Sequence, residues 1–419
     1  MRTEMAEDMV IIGAGIAGLT TALGLHRMGL RSLVLESSDS LRVTGFALVL
    51  WTNAWKALDA LGIGDFLREQ HVLLDRLVFT STISGLATSQ LPLRADSKHF
   101  KCSESREVRS VKRNALVEAL AKDLPRGTIR FSSKVVSIEE ADNLKLLHLA
   151  DGSILKTKVL IGCDGLNSVV AKWLGLEKPV SSGRWAIRGY AEYLGGHGLE
   201  PNFLQFFGNG SRCGLMPCDE KTVYWFFTRT PSAKYKEIEE NPAMMKQFVL
   251  SNLGNVPEAL VNAIESSDFG SIVASPLKFR KPWNVLWGEI TKGNVCVAGD
   301  ALHPMTPDIG QGGCAALEDG VVLARCLAEA LLKEPGRESN SGVEDKEDEF
   351  NRIKMGLEKF AKERRWRSFE LISTAYVVGS MQQSEGKVIG FLRDNLLSSL
   401  LSGLLLKKAS YDCGKLNIS

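Results

Sequence analysis

Met9-Val10-Ile11-Ile12-Gly13-Ala14-Gly15-Ile16-Ala17-Gly18 is the stretch that decides the fold. Four apolar residues without alternation read as a strand buried on both faces, as parallel sheets require. They feed a Gly-x-Gly-x-x-Gly turn, and a helical pattern then runs to Met28 and stops at Gly29. A second strand, Ser32-Leu33-Val34-Leu35, ends on Glu36. Gly13 makes the tight turn, Gly15 lets the backbone approach a pyrophosphate, and Gly18 lets the helix pack on the strand. Ile16 and Ala17, within the same turn, are candidate cofactor-binding residues with the glycines. Glu36, about 20 residues on, stands where a carboxylate accepts from ribose hydroxyls. The fingerprint predicts a dinucleotide site without choosing between NAD and FAD.

Two later strand ends narrow that choice. Val295-Cys296-Val297-Ala298 runs into Gly299-Asp300-Ala301-Leu302-His303-Pro304-Met305-Thr306-Pro307-Asp308-Ile309-Gly310-Gln311-Gly312-Gly313, followed by an apolar-periodic helix from about Cys314 to Leu332. An aspartate at a strand's end can bond a ribityl hydroxyl. The bare amides of a helix start attract negative charge. One segment thus offers a polyol site at one end and an anion site at the other, as a flavin nucleotide needs. Val159-Leu160-Ile161-Gly162-Cys163-Asp164-Gly165 is a third apolar strand ending in Asp-Gly. Asp-Gly is a strong hairpin signal, but Ser168–Leu174 reads as a short helix ending at Gly175 rather than as a return strand.

With these three motifs in this order, the chain resembles the class A flavoprotein monooxygenases, the family of para-hydroxybenzoate hydroxylase, salicylate hydroxylase and zeaxanthin epoxidase. The likeness is greatest to plant salicylate-hydroxylase-like members, through Lys112–Leu120, Val159–Gly165 and Tyr411-Asp412-Cys413-Gly414. The resemblance implies an α/β fold: a Rossmann-like FAD-binding domain, an antiparallel-sheet substrate domain and a C-terminal helical segment. It places Gly13, Gly15, Gly18 and Glu36 on the ADP half of FAD, Asp300 on the ribityl chain, and Gly310, Gln311, Gly312 and Gly313 at the flavin ring. Arg42 and Arg113 match the family's FAD-contacting arginines, and Asp164 its Asp-Gly motif, which touches both FAD and the pyridine nucleotide. The implied reaction uses NADPH or NADH and O2 to hydroxylate or epoxidise a small aromatic or apolar molecule through a flavin C4a-hydroperoxide. Two positions depart from the family: Ala171 stands where arginine is usual, with Lys172 beside it, and Cys314 where asparagine is common. A same-fold FAD oxidase or reductase, and an FAD-binding regulator without turnover, remain open on sequence.

The family's organisation implies a discontinuous flavin domain at 1–75, 105–180 and 275–335. Between its pieces, 76–104 and 181–274 read as a sheet of short aromatic strands (Arg184–Tyr190, Phe203–Phe207, Cys213–Met216 and Val223–Phe227). Arg188, Gln205, Phe207 and Trp225 are its candidate pocket residues. Pro304 would hold the turn against the ring, and His303 is a candidate base or a support for the turn. Residues 336–419 read as a surface loop (335–349), a long charged helix (about 350–378) and an apolar run, 396–408, ending in Lys407-Lys408. That run is too short to span a bilayer; its stripe either docks on the protein or lies on a membrane surface.

A net charge of +2 with mixed signs gives no case for nucleic acid. Eight scattered cysteines without a C-x-x-C pair argue against a disulfide framework, a bound metal or a disulfide reductase. Only eight residues precede Met9, which predicts no targeting peptide and a cytoplasmic enzyme. The sequence leaves oligomeric state unassigned.

Overall fold

The computed structural model describes residues 6–41, 47–94, 106–231, 238, 241–332, 344–382 and 397–417. Glu7–Ile12 lies inside an eight-stranded sheet, parallel to Ile154–Gly162 on one side and Leu33–Leu35 on the other. Val295–Val297 adds in parallel beyond Ile154–Gly162. Three strands are therefore in register at their carboxyl ends, with Ile12 beside Gly162 and Gly162 beside Val297. All three motifs leave the sheet at this edge, the place where open α/β sheets bind ligands. A hairpin, Val135–Ala141 and Leu144–Leu149, extends the sheet from Ile154–Gly162.

The strands form where expected because their runs are apolar on both faces: Val10, Ile11, Leu160, Ile161 and Cys296 are all fully buried. The helices Ile16–Arg27 and Gly312–Leu332 pack on one another on one side of this sheet. His26 and Arg27 occupy the last turn of the first helix, where positive charge suits the dipole.

The second sheet has seven strands, in the order Val273–Phe279, Val180–Glu192, Thr222–Arg229, Ser211–Pro217, Asn202–Gly208, Arg76–Ser81 and Ala87–Pro92. It is antiparallel except where Asn202–Gly208 runs parallel to Arg76–Ser81, because the 76–92 hairpin comes from an earlier part of the chain. Its two faces alternate residue by residue. Ile187, Phe206, Cys213, Trp225 and Phe227 pack under the helices Pro242–Leu250 and Glu258–Glu265. The other face looks toward the motifs.

The C-terminal region differs from expectation in one respect. Helix Glu344–Gln382 begins inside the segment read as loop, while 333–343 lies outside the described residues. Glu349 of this helix bonds Lys158 at 3.1 Å. Helix Leu397–Lys408 packs against strand Ala87–Pro92, with Leu405 buried. Leu405 and Lys408 of this run are therefore packed against the protein. Among the described residues, no helix is long and apolar enough to cross a membrane.

Candidate active site

The strand ends and the inner face of the seven-stranded sheet enclose one cavity of about 1140 Å³. Ordinary small-molecule sites occupy about 300–1,000 Å³, so this one has room for a dinucleotide together with a small substrate.

At one end is the glycine turn. Gly13 has φ +101°, and a side chain there would meet the carbonyl of Cys163 at 2.5 Å. A Cβ on Gly18 would lie 1.9 Å from the Gly13 carbonyl oxygen, so Gly18 serves helix–strand packing and stays off the cavity wall. Gly15 is different: a Cβ there meets nothing within 4 Å. The backbone is bare toward open space, as close approach of a phosphate demands. Glu36 borders the same space. Its Oε2 accepts from the Ala14 amide at 2.8 Å and its Oε1 from the Ser38 amide at 2.9 Å. Burial pushes this carboxyl's pKa up, but those amides more than offset it and keep Glu36 below its ordinary value. Ile16 and Ala17 line the cavity here, and Arg113 borders it further along.

In the middle lie the two aspartate motifs. Asp164 takes the Ser168 hydroxyl at 2.5 Å and the Val169 amide at 2.6 Å, which caps the short helix Val169–Trp173. Asp300 opens onto the cavity while being closely surrounded by protein, and that desolvation raises its carboxyl pKa. The turn carrying it is clamped from behind. Arg280 donates to the carbonyls of Ala301 and Leu302, both at 3.0 Å, and its amide bonds the Pro304 carbonyl. Pro304, Gly310, Gly312 and Gly313 are on the wall.

At the far end the inner sheet face presents Arg188, Phe203, Gln205, Arg212, Tyr224 and Phe226. Arg184 grips Asp308 through two bonds, 2.9 and 2.8 Å, and Arg212 adds a third at 2.8 Å. Arg212 also donates to Gln205 at 3.1 Å and lies over the Phe226 ring at 5.0 Å. Burial raises the Asp308 carboxyl, and the two guanidiniums override it, leaving the pKa lowered.

Four further candidates fall off the cavity wall. His303 is fully buried and meets Asp319 Oδ2 at 2.6 Å, so it supports the turn and does not reach the cavity. Gln311 points inward, where its Oε1 accepts from Asn53 at 2.9 Å. Trp225 is on the opposite sheet face, donating to Ser267 at 2.7 Å, because strand alternation sends residues 224 and 225 opposite ways. Phe207 shares the inner face but packs against the wall residue Phe79 at 5.8 Å and does not itself line the cavity. Arg42 lies outside the described residues.

Sequence reasoning missed the clamps: Arg184, Arg212 and Asp308; Arg280; and a buried pair of carboxylates, Glu318 and Asp319. Asp319 accepts from the Gly299 amide (2.7 Å), His303 and Arg364 (2.6 Å). Burial raises its pKa, but His303 and Arg364 bring it down to about 2. Their partners lie up to 124 residues away, so no local pattern shows them. Ala171 is buried beneath the Asp-Gly motif, and Cys314 faces the carbonyls of Gly310 and Val49. The seven described cysteines are free and buried.

The wall suits FAD on the structure's own terms. Gly15 leaves open the space a pyrophosphate needs, and Glu36 and Asp300 stand at separate points along the cavity as hydroxyl acceptors. Trp51 Nε1 and Arg212 Nε, on the wall, have no protein hydrogen-bond partner, which buried donors rarely tolerate without a ligand or water.

Comparison with known proteins agrees. Residues 6–344 match the family of FAD binding domains. Monooxygenase 2 of Arabidopsis thaliana is 52% identical over 416 residues, spanning 99% of this chain and 100% of that protein. Monooxygenase 1 of the same plant is 34% identical, covering 97% and 99%. The FAD-dependent urate hydroxylase of Klebsiella pneumoniae is 28% identical over 75% of this chain and 79% of its own. Klebsiella pneumoniae HpxO, solved with FAD and uric acid, shares the fold at a TM-score of 0.80 and 23% identity, covering 98% of each chain. The chain belongs to the FAD-binding domain family, and it is a class A FAD-dependent monooxygenase.

Proposed function

We propose that this monooxygenase takes electrons from NADH or NADPH and transfers one oxygen atom of O2 to a small aromatic or apolar molecule held against the seven-stranded sheet. The observation that carries this reading is the single cavity joining a phosphate-ready turn at Gly15 to an aromatic compartment with a cationic side. Bound FAD supplies the electron transfer and the reaction with O2.

The chain's own residues do the rest. The amides of the 13–18 turn and the Ile16–Arg27 helix start would hold the pyrophosphate. Glu36 and Asp300 would accept from ribose and ribityl hydroxyls, with Arg113 and Asp164 beside them. The N-terminus of Gly312–Leu332 favours negative charge in front of Gly310–Gly313. Pro304, its carbonyl fixed by Arg280, keeps the turn rigid against the ring. Phe203, Tyr224 and Phe226 exclude water and offer ring-stacking surfaces, while Arg212 Nε, Arg188 and Gln205 orient a substrate oxygen. We read 1–75, 105–180 and 275–335 as the cofactor side, 76–104 and 181–274 as the substrate side, and 336–419 as the C-terminal segment, a division supported by the separation of the described strands into an eight-stranded and a seven-stranded sheet. Strand Val273–Phe279 of the seven-stranded sheet spans the boundary at 275.

The test is isotopic. Turnover of an identified substrate under 18O2 should give product carrying one labelled oxygen per NAD(P)H consumed. Stoichiometric hydrogen peroxide with unlabelled organic product would instead favour an oxidase.

A further inference from the structure

Among the described residues, Leu405 is the one member of the cavity wall contributed from beyond position 316. It lies outside the matched FAD-binding region, which ends at residue 344. Its helix, Leu397–Lys408, packs on Ala87–Pro92, the edge strand of the substrate sheet. The Leu405 side chain joins the core that holds Leu77 and Phe79, which also line the cavity.

This helix is anchored by charge. Arg367 donates to the Lys408 carbonyl at 2.7 Å while the same guanidinium holds Glu318 Oε1 at 2.8 Å. Glu318 belongs to the helix Gly312–Leu332 that faces the cavity with its first turn. Lys408 pairs with Glu370, and the ring of Tyr411 lies against the Arg364 and Arg367 guanidiniums at 5.1 and 4.8 Å. Removing one partner of a buried ion pair is strongly unfavourable, so the anchor fixes where Leu405 stands. A side chain fixed on an apolar wall sets a dimension of the compartment.

We propose that Leu405 is a specificity-determining residue: it sets the size of the apolar ring substituent that the substrate compartment admits. This rests on the aromatic-compartment reading above. Sequence beyond the flavin-binding region thereby selects the substrate, while the motifs select the cofactor.

The experiment uses the FAD-loaded enzyme and four probes: phenol, 4-methylphenol, 4-ethylphenol and 4-tert-butylphenol. Binding is followed by the perturbation of bound-flavin absorbance in the wild type, Leu405→Ala, Leu405→Phe and, as a reference on another part of the wall, Met216→Ala. One methylene-sized group in an apolar pocket is worth about tenfold or more. Leu405→Ala should therefore improve 4-tert-butylphenol relative to phenol by at least about tenfold, and Leu405→Phe should reverse the preference, with FAD content unchanged. A probe ratio unchanged in both Leu405 variants overturns the assignment; if Met216→Ala shifts it, the compartment reading survives alone. Failure of every phenol to perturb the wild-type flavin overturns both.

Discussion

Gly15 and Gly18 look equivalent in the fingerprint, but their surroundings separate them. A methyl group on Gly18 would collide with the Gly13 carbonyl, whereas one on Gly15 touches no protein atom. Gly18→Ala should therefore lower the stability of the apoprotein, in the range of about 1–3 kcal/mol typical of overpacking. Gly15→Ala should melt as the wild-type apoprotein does and lose FAD affinity, which thermal denaturation and flavin titration distinguish. Asp300→Ala should likewise purify folded but depleted of flavin; full FAD occupancy in that variant would contradict the ribityl assignment. Asp319 makes a pH prediction. Its pKa is about 2 when folded, against about 3.9 unfolded. A depressed folded pKa gives stability that is complete above about pH 4 and lost as the pH falls toward 2. Thermal melts between pH 5 and pH 2 should show this loss in the wild type. Asp319→Asn should be less stable at neutral pH and should show a shallower acid dependence.

At the scale of the element, each strand end was legible because apolar runs and Gly-Asp or Asp-Gly punctuation are local signals. The facing of the substrate strands was not. Alternation shows that Tyr224 and Trp225 point opposite ways, but only the helices Pro242–Leu250 and Glu258–Glu265 decide which side is core. Arg188 and Gln205 fell on the cavity side and Trp225 on the other. The consequence is a contrast between neighbours. Trp225→Ala should cost about 3–5 kcal/mol of stability, as large aromatic deletions do, and leave the probe preference of the substrate compartment unchanged. Phe226→Ala, which removes the ring beneath Arg212, should weaken ligand binding. Calorimetry and ligand titration on the same two variants check both halves.

For the whole molecule, the family could be read from three short segments, and the structure brings most of their residues to the wall of one cavity. The counter-charges could not. Arg184 and Arg212 reach Asp308 across 124 and 96 residues, and Arg364 reaches Asp319 across 45. Such pairs exist only once the sheets and the C-terminal helix have come together. The same distance hid the packing of Leu405, which joins the core from the far end of the chain. The most direct measurement is anaerobic reduction of the purified yellow protein by NADH and NADPH, followed at the flavin absorbance across a panel of aromatic compounds. The account predicts reduction by at least one nicotinamide, accelerated markedly by a compound that occupies the substrate compartment. Flavin that stays oxidised with both nucleotides, whatever compound is present, would contradict it.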